Sequence, residues 1–225
     1  MSRRLPIYVL VDVSGSMHGQ SIQAVRIGLE TLRDSLIDDP HASLSAAISV
    51  IAYGRDAQVL TPLTSLYDFE VPPLHAPETA PTNLGEGLEL LCEQYDKEVV
   101  IGSQNQKGDW LPILVIMTDG EPTDVDLFRR MTQQIEQMKA GRTTSDPNKK
   151  RFGRILACAA GTEDSAPKPE IFQGLTSEVL ELQRLDPTSF QAFICYVSDT
   201  ISYTSQSLSA PVEIPPYSPD MNFPR

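Results

Sequence analysis

The sequence Ile-Tyr-Val-Leu-Val-Asp-Val-Ser-Gly-Ser-Met at residues 7–17 decides the predicted fold. Its apolar part has the length of a β-strand and is continuous, which is typical of a strand buried on both faces of a parallel sheet. Such a strand delivers its last residue, Asp12, to the carboxyl edge of the sheet, where open α/β folds hold their ligands. Ser14 and Ser16 follow at alternate positions, and Gly15 between them permits a tight turn. We therefore predict a ligand site at the end of the first strand.

One carboxylate and two hydroxyls so close together suit a hard divalent cation, because such cations take oxygen ligands. The same Asp-x-Ser-x-Ser pattern could instead cap the helix that follows it, and a short motif alone does not decide between the two. Two further stretches favour the metal. Thr82, in Pro-Thr-Asn-Leu-Gly, precedes an amphipathic segment, and Asp119, in Thr-Asp-Gly-Glu-Pro, ends a second buried run at residues 111–117.

Together these three stretches resemble the von Willebrand factor A family, across roughly residues 5–200. The metal-ion-dependent adhesion site (MIDAS) of that family combines Asp-x-Ser-x-Ser, a distant loop Thr and an Asp in a Thr-Asp-Gly turn. One departure is Pro81, where many relatives have Gly. The resemblance implies a Mg²⁺ site, with Mn²⁺ or Ca²⁺ as substitutes, whose open position takes a Glu or Asp from a partner protein. The metal ligands it assigns are Asp12, Ser14, Ser16, Thr82 and Asp119.

The opening Arg-Arg-Leu-Pro-Ile-Tyr-Val-Leu-Val-Asp-Val-Ser-Gly-Ser-Met and the later Thr-Asp-Gly-Glu-Pro-Thr-Asp are most similar to the TerY-like proteins, a short bacterial intracellular form of the family. That resemblance implies a metal-bound scaffold in a tellurite-resistance or stress-response system. Relatives of this form are encoded beside protein kinases and PP2C-type phosphatases, so a protein of either kind is an expected partner. No residue of the chain indicates tellurium chemistry, and this implication depends on the resemblance alone.

The competing functional class is an enzyme, because a strand-end aspartate with Mg²⁺ also describes haloacid-dehalogenase-type phosphatases. Their motif, similar to Asp-x-Asp-x-Thr, needs a second acid two residues after the nucleophile, and Ser14 occupies that position. The sequence also has no Gly-x-x-x-x-Gly-Lys loop, no Gly-x-Gly-x-x-Gly turn and no Ser or Cys nucleophile with a convincing base. We therefore expect a protein that is not an enzyme. A structural metal domain with the same ligands and no adhesive role stays an alternative.

Composition limits the class of protein and the kinds of partner that the chain can have. The chain has 225 residues, 40% hydrophobic and 21% charged, which fits one well-buried soluble domain, and its net charge of −12 argues against binding to nucleic acids or anionic membranes. Cys92, Cys158 and Cys195 have no metal-type spacing, so we predict reduced core residues and a cytoplasmic location. The first apolar run stops at Asp12, too early for a signal peptide, and no run reaches membrane-spanning length.

Strand and helix patterns alternate along the chain and predict a doubly wound, mainly parallel six-stranded α/β sheet, with one antiparallel edge strand and helices on both faces. The strands at residues 5–12 and 111–117 are expected to be neighbours in its centre, which would bring Asp12 and Asp119 together. The predicted strands begin near Leu5, Ser43, Ala57, Leu111, Arg154 and Val179, and the predicted helices cover residues 21–37, 84–95, 124–138, 169–175 and 189–197.

We predict a single domain over residues 1–208 and a proline-rich tail over residues 209–225, which is too rich in proline for regular structure. One basic cluster, around Lys149 and Lys150, is either a solvated loop or a docking patch for an acidic or phosphorylated partner. His18 and His75 are expected to face solvent rather than to bind metal.

Overall fold

A computed structural model describes residues 3–102, 107–139, 151–162 and 165–207. Its strands are β1 (Leu5–Asp12), β2 (Ala46–Tyr53), β3 (Ala57–Ser65), β4 (Ile113–Thr118), β5 (Arg154–Ala160) and β6 (Val179–Leu182). Its α-helices are α1 (Gln20–Asp38), α2 (Ala42–Ser45), α3 (Leu84–Glu98), α4 (Val125–Gln137) and α5 (Pro187–Ser207), with short 3₁₀ turns at Gly15–Met17 and Pro169–Phe172.

The six strands form one sheet in the order β3-β2-β1-β4-β5-β6. All neighbouring strands run parallel except β3, which pairs antiparallel with β2 at the edge. β1 lies between β2 and β4, with Ile7 opposite Ile48 on one side and Ile113 on the other. The predicted fold class and the predicted pairing of the two central strands are both confirmed.

A hydrophobic core lies on each face of the sheet. Val9 and Val11 of β1 point to the face covered by α1 and α5, whereas Tyr8 and Leu10 point to the face covered by α3 and α4. Every residue of β1 is therefore buried. This two-sided burial explains why the strand reads as a continuous apolar run.

Several elements differ from their predicted bounds, and the helix predicted over residues 169–175 is only a 3₁₀ turn at Pro169–Phe172. The strand expected from Ser43 begins at Ala46, because Ala42–Ser45 forms a helical turn. β3 extends to Ser65 through Pro62, which an edge strand tolerates because one side needs no backbone donor. α5 is longer than residues 189–197 and begins at Pro187, since proline fits the first turn of a helix.

Several single-residue predictions were also tested. Cys92 and Cys158 are buried and Cys195 is half-buried, and none of the three forms a disulfide bond. His18 and His75 are exposed, as expected. Val125, the first residue of α4, is apolar but 50% exposed.

Other predictions lie outside the described residues. These are the tail at 209–225, and Lys149 and Lys150 of the basic cluster. Across the ranges that are described, no helix is both long and apolar enough to cross a membrane.

Candidate metal-binding site

Two aspartates lie at the carboxyl ends of the two central strands. Asp12 is the last residue of β1, and Asp119 directly follows β4. Because β1 and β4 are parallel neighbours, both carboxylates reach the same edge of the sheet. Asp12 is 0% exposed and Asp119 is 6% exposed, so both carboxylates are withdrawn from bulk water.

The carboxylate of Asp12 is held by a hydrogen bond to each oxygen. The backbone N–H of Ser14 donates to Oδ1 at 2.8 Å, and the hydroxyl of Thr118 donates to Oδ2 at 2.7 Å. The Thr118 hydroxyl in turn accepts a hydrogen bond from the backbone N–H of Gly120 at 3.2 Å. These contacts fix the orientation of Asp12. The positioning role of Thr118 was not predicted from the sequence, although Thr118 and Asp12 directly follow the paired residues Met117 and Val11 of β4 and β1.

The two serines of the first motif connect its turn to Asp119. The Ser16 hydroxyl donates to Oδ1 of Asp119 at 2.6 Å, and the Ser14 hydroxyl lies 3.1 Å from that of Ser16. Helix α1 begins only after Gly19, where no side chain caps it. The capping interpretation of the motif is therefore wrong, and both hydroxyls face the aspartates instead.

Thr82 reaches the site on the loop between β3 and α3. The carbonyl of Ala80 accepts a hydrogen bond from Gly15 N–H at 3.1 Å, and the carbonyl of Thr82 accepts one from Thr123 N–H at 2.9 Å. These bonds tie the loop to the turns that follow β1 and β4. Thr82 is buried, and a Cβ placed on Gly120 would lie 3.4 Å from its hydroxyl oxygen. The loop therefore delivers Thr82 to the turn after Asp119, with Pro81 in place of Gly.

Burial dominates the electrostatics of the two aspartates. It raises the pKa of Asp12 to about 6, against the lowering effect of its hydrogen bonds with Ser14, and the nearby charge of Asp119 raises it further. Burial also raises the pKa of Asp119, while the hydrogen bond from Ser16 lowers it. Within the described ranges, the groups with the largest influence on these pKa values include no cationic side chain. Buried carboxylates without a basic partner are typical of a place that a metal ion neutralises.

The chemistry of the donors selects the kind of cation. No cluster of three or more His, Cys, Asp or Glu side chains with metal-binding geometry occurs in the part of the chain that the structure describes. The site offers two carboxylates and three hydroxyls instead, which is an all-oxygen set. Hard cations such as Mg²⁺ and Ca²⁺ prefer such ligands, so the residues present fit a hard divalent cation.

A cavity of about 530 Å³ opens beside the aspartates. Ser16 and Asp119 of the site line it, together with His18, Arg184 and Asp186. The Nδ1–H of His18 donates to the carbonyl of Ala76 at 2.8 Å, which directs this ring to the rim rather than to the aspartates. The cavity gives a side chain of another molecule a route to the site.

The chain matches a known protein family over about half of its length. A model described as the von Willebrand factor type A domain matches residues 7–121, a span that contains all five predicted ligands. No curated protein matches the chain.

Solved structures share the fold at low sequence identity. A von Willebrand factor type A protein from Catenulispora acidiphila has 16% identity and a TM-score of 0.58 over 89% of this chain and 43% of its own. The conserved hypothetical protein BatB from Bacteroides thetaiotaomicron has 14% identity and a TM-score of 0.52 over 90% of this chain and 100% of its own. Proximal thread matrix protein 1 from the mussel byssus, solved with a zinc-occupied MIDAS motif, has 15% identity and a TM-score of 0.54, over 88% of this chain and 48% of its own. The chain thus spans less than half the length of the first and third of these proteins.

Proposed function

The chain belongs to the von Willebrand factor type A domain family, and from this premise we propose that it is a non-enzymatic, metal-dependent protein-binding module. The observation that carries the proposal is the pair of buried carboxylates, Asp12 and Asp119, at the ends of neighbouring strands. They lie among hydroxyls and beside an open cavity. A cation bound there would be reachable by a carboxylate of a partner protein.

Each residue of the site has a distinct role in this proposal. Asp12 and Asp119 supply two negative charges, which balance one divalent cation. Ser14, Ser16 and Thr82 supply oxygens without charge, and a coordination position left open by these residues would accept a carboxylate of the partner. When bound, the cation supplies an acceptor for a Glu or Asp side chain of the partner. The hydrogen bonds that hold Asp12 keep its oxygens oriented before the metal arrives.

We propose Mg²⁺ as the cation, with Mn²⁺ and Ca²⁺ able to replace it. The all-oxygen donor set supports a hard ion. The zinc in the MIDAS motif of the mussel protein supports a divalent charge at the equivalent kind of site.

The finer biological role that we propose is a scaffold in a bacterial tellurite-resistance or stress-response system, with a protein kinase or a PP2C-type phosphatase as its partner. This proposal is supported by the resemblance of the opening and Thr-Asp-Gly-Glu-Pro stretches to TerY-like proteins. We also propose a cytoplasmic location, which the three cysteines outside any disulfide support. Affinity capture of kinases and phosphatases with Mg²⁺ and with EDTA tests the partner class.

Calorimetric titration with Mg²⁺ tests the site directly. Wild-type protein should bind one equivalent, the Asp12→Ala variant should bind none, and both should give the same far-ultraviolet circular dichroism. Asp126→Ala, which removes an exposed carboxylate from α4, is the matched control and should bind as wild type does. Equal binding by wild type and Asp12→Ala would rule out the proposed site.

Two further measurements separate the alternatives. A purely structural metal domain would bind Mg²⁺ but would capture partners equally with the ion and with EDTA. A phosphatase-like hydrolase would release phosphate from a simple aryl phosphate in a Mg²⁺-dependent way, and Asp12→Ala would abolish that release. Capture that depends on both Mg²⁺ and Asp12, without phosphate release, is the result we expect.

A further inference from the structure

A second concave surface lies at the amino edge of the sheet, opposite the metal site. It is a groove of about 330 Å³ between the end of α3 and the start of β4. Apolar and aromatic side chains make up most of it, with one ion pair at the side. The lining residues used below are Tyr95, Val99, Ile101, Trp110, Leu111 and Pro112.

The wall of the groove at Trp110 is fixed in place. The guanidinium carbon of Arg3 lies 3.4 Å from the centre of the Trp110 ring, and Arg3 Nε donates to the carbonyl of Gly108 at 2.7 Å. The backbone N–H of Trp110 donates to the carbonyl of Arg4 at 2.8 Å, at the start of β1. The indole is therefore a preorganised surface, which lowers the entropy cost of binding.

The outer part of the groove exposes apolar area to solvent. Leu111 is 46% exposed and Ile101 is also exposed. Large apolar side chains that lie together at a groove mark a surface that another segment covers, whereas isolated ones need no explanation. The proposed metal site uses none of these residues, because it lies at the other edge of the sheet.

We propose that residues 208–225 of the same chain, which are Leu208 and the proline-rich tail, dock in this groove. The tail reads Leu-Ser-Ala-Pro-Val-Glu-Ile-Pro-Pro-Tyr-Ser-Pro-Asp-Met-Asn-Phe-Pro-Arg and lies outside the described residues. Proline-rich segments favour the extended polyproline II conformation, and aromatic-lined grooves bind that conformation at low entropy cost. The groove and the tail are therefore complementary in chemistry.

The tail starts at the correct edge of the sheet. Near the end of α5, Ser205 Oγ lies 3.4 Å from Ser45 Oγ, and Gln206 Nε2 donates to Asp39 at 3.4 Å. Ser45 directly precedes β2, so α5 ends beside the amino end of that strand. The groove adjoins the starts of β1 and β4, the next two strands of the sheet.

The length of the tail suffices for this path. Adjacent strands are about 4.8 Å apart and each helix layer lies about 10 Å from the sheet. Because α5 and α3 cover opposite faces, the gap is on the order of 20–25 Å. A polyproline II segment advances about 3.1 Å per residue, so about eight residues cross the gap. Pro215 lies eight residues after Ser207, which places Pro215, Pro216 and Tyr217 within reach of the groove.

Charge is also compatible with this occupant. Asp109 beside the groove is paired with Arg4 at 2.6 Å, so its charge is already balanced. Arg151 adds positive charge at the rim. The tail carries Glu213 and Asp220 on either side of its Pro-Pro-Tyr sequence, so attraction to the basic rim would assist docking.

Trp110 is the only tryptophan of the chain, which makes its fluorescence a specific probe of the groove. The test compares the full-length wild type with a full-length variant that carries Pro215→Ser, Pro216→Ser and Tyr217→Ser. We expect red-shifted Trp110 emission and stronger acrylamide quenching in the variant, because water reaches the indole. A synthetic peptide of residues 208–225 added to the variant should reverse the shift in a saturable way, and a scrambled peptide should not.

A substitution in the groove provides the second arm. Leu111→Glu introduced into the full-length tail variant should abolish the response of Trp110 to the peptide, because it places a charge on the apolar wall. The matched control is Val125→Glu on α4, because Val125 is exposed to a similar extent as Leu111. This substitution should leave the Trp110 emission and the peptide response of the tail variant unchanged. Circular dichroism and cooperative urea unfolding establish that each variant is folded.

The proposal is overturned if wild type and the tail variant have the same emission and quenching and the peptide has no effect. It is also overturned if the blue-shifted emission of wild type disappears on dilution, because the occupant would then be the tail of a second copy. Loss of Mg²⁺ binding by Asp12→Ala leaves these readouts unchanged, so this inference and the proposed function fail separately.

Discussion

Replacement of Asp12 by Asn removes a buried negative charge but keeps the shape of the side chain. The Asn oxygen can still accept the hydrogen bond from the Ser14 N–H, whose nitrogen lies 2.8 Å from Asp12 Oδ1 in the wild type. The amide nitrogen can donate to the hydroxyl of Thr118, which lies 2.7 Å from Oδ2. The substitution therefore leaves few hydrogen bonds unmade. We predict that it stabilises the metal-free protein at neutral pH while it abolishes metal binding.

The magnitude follows from the pKa of Asp12. Burial is the largest cause of its rise from 3.8 to about 6, which is a difference of about two pH units. At about 1.4 kcal/mol per pH unit, ionisation of Asp12 costs the folded protein about 3 kcal/mol at pH 7.5.

The sign of the pH dependence follows from the same shift. When the pKa of an acid is higher in the folded state than in the unfolded state, the acid stabilises the fold fully at pH values below its unfolded pKa. That stabilisation is lost as the pH rises through the folded pKa. The window for Asp12 is therefore pH 4 to 6. In the absence of metal, the free energy of unfolding of Asp12→Asn should exceed that of wild type by about 3 kcal/mol at pH 7.5 and by about half as much at pH 5.

Urea unfolding in EDTA at pH 5.0 and 7.5 measures both values, with Asp126→Asn on the surface of α4 as the control for loss of one carboxylate. In a second series, Mg²⁺ at about one hundred times its dissociation constant should stabilise wild type by about 2.7 kcal/mol at pH 7.5 and leave Asp12→Asn unchanged. The reasoning is refuted if Asp12→Asn is no more stable than wild type in EDTA at pH 7.5, or if the difference does not shrink at pH 5.

Three further predictions concern the surroundings of the site. Thr118→Val should weaken Mg²⁺ binding by about tenfold in calorimetry, because outer-shell partners orient the ligands, and Thr118→Ser should restore it. Gly15→Ala should also weaken Mg²⁺ binding, since its Cβ would lie 2.9 Å from a backbone carbonyl oxygen of the loop that carries Thr82. In Gly120→Ala the added Cβ would make only an ordinary contact at 3.4 Å, so its affinity for Mg²⁺ should be closer to that of wild type. Asp186→Ala should lower the free energy of unfolding by about 1 kcal/mol in urea, because it removes the side-chain cap from α5, and unchanged stability would contradict that role.

The fold was largely predictable because its central strands carry a local signal. β1 is apolar at nearly every position up to Asp12 since both of its faces are covered, and the same holds for β4. Once the two runs are placed side by side, the meeting of Asp12 and Asp119 follows from the direction of the chain. Thr82 was singled out by its position before an amphipathic segment, but its assignment as a ligand came from the family resemblance, because its approach depends on backbone hydrogen bonds of a loop that periodicity does not describe.

What the sequence did not predict depends on contacts between distant residues. Thr118 orients Asp12 only because strand register sets the two opposite each other, and a threonine at a strand end has no distinctive pattern of its own. Pro187 reads as a loop residue, yet Asp186 accepts backbone hydrogen bonds from the next turn and starts a 21-residue helix there. In both cases one side chain decides the local structure through a partner that sequence patterns do not identify.

The site also departs from the rules that make the rest of the fold predictable. A well-packed domain places carboxylates in water or beside cations, but Asp12 and Asp119 are buried together and each has a raised pKa. Such a departure persists where function requires it, because a more stable alternative such as Asn at position 12 would give up the charge. The cost worked out above, about 3 kcal/mol, is of the same size as the stabilisation that a bound divalent cation returns at moderate excess. Strong coupling between metal binding and folding is therefore expected of this protein, and it would be absent if the two aspartates only closed a turn.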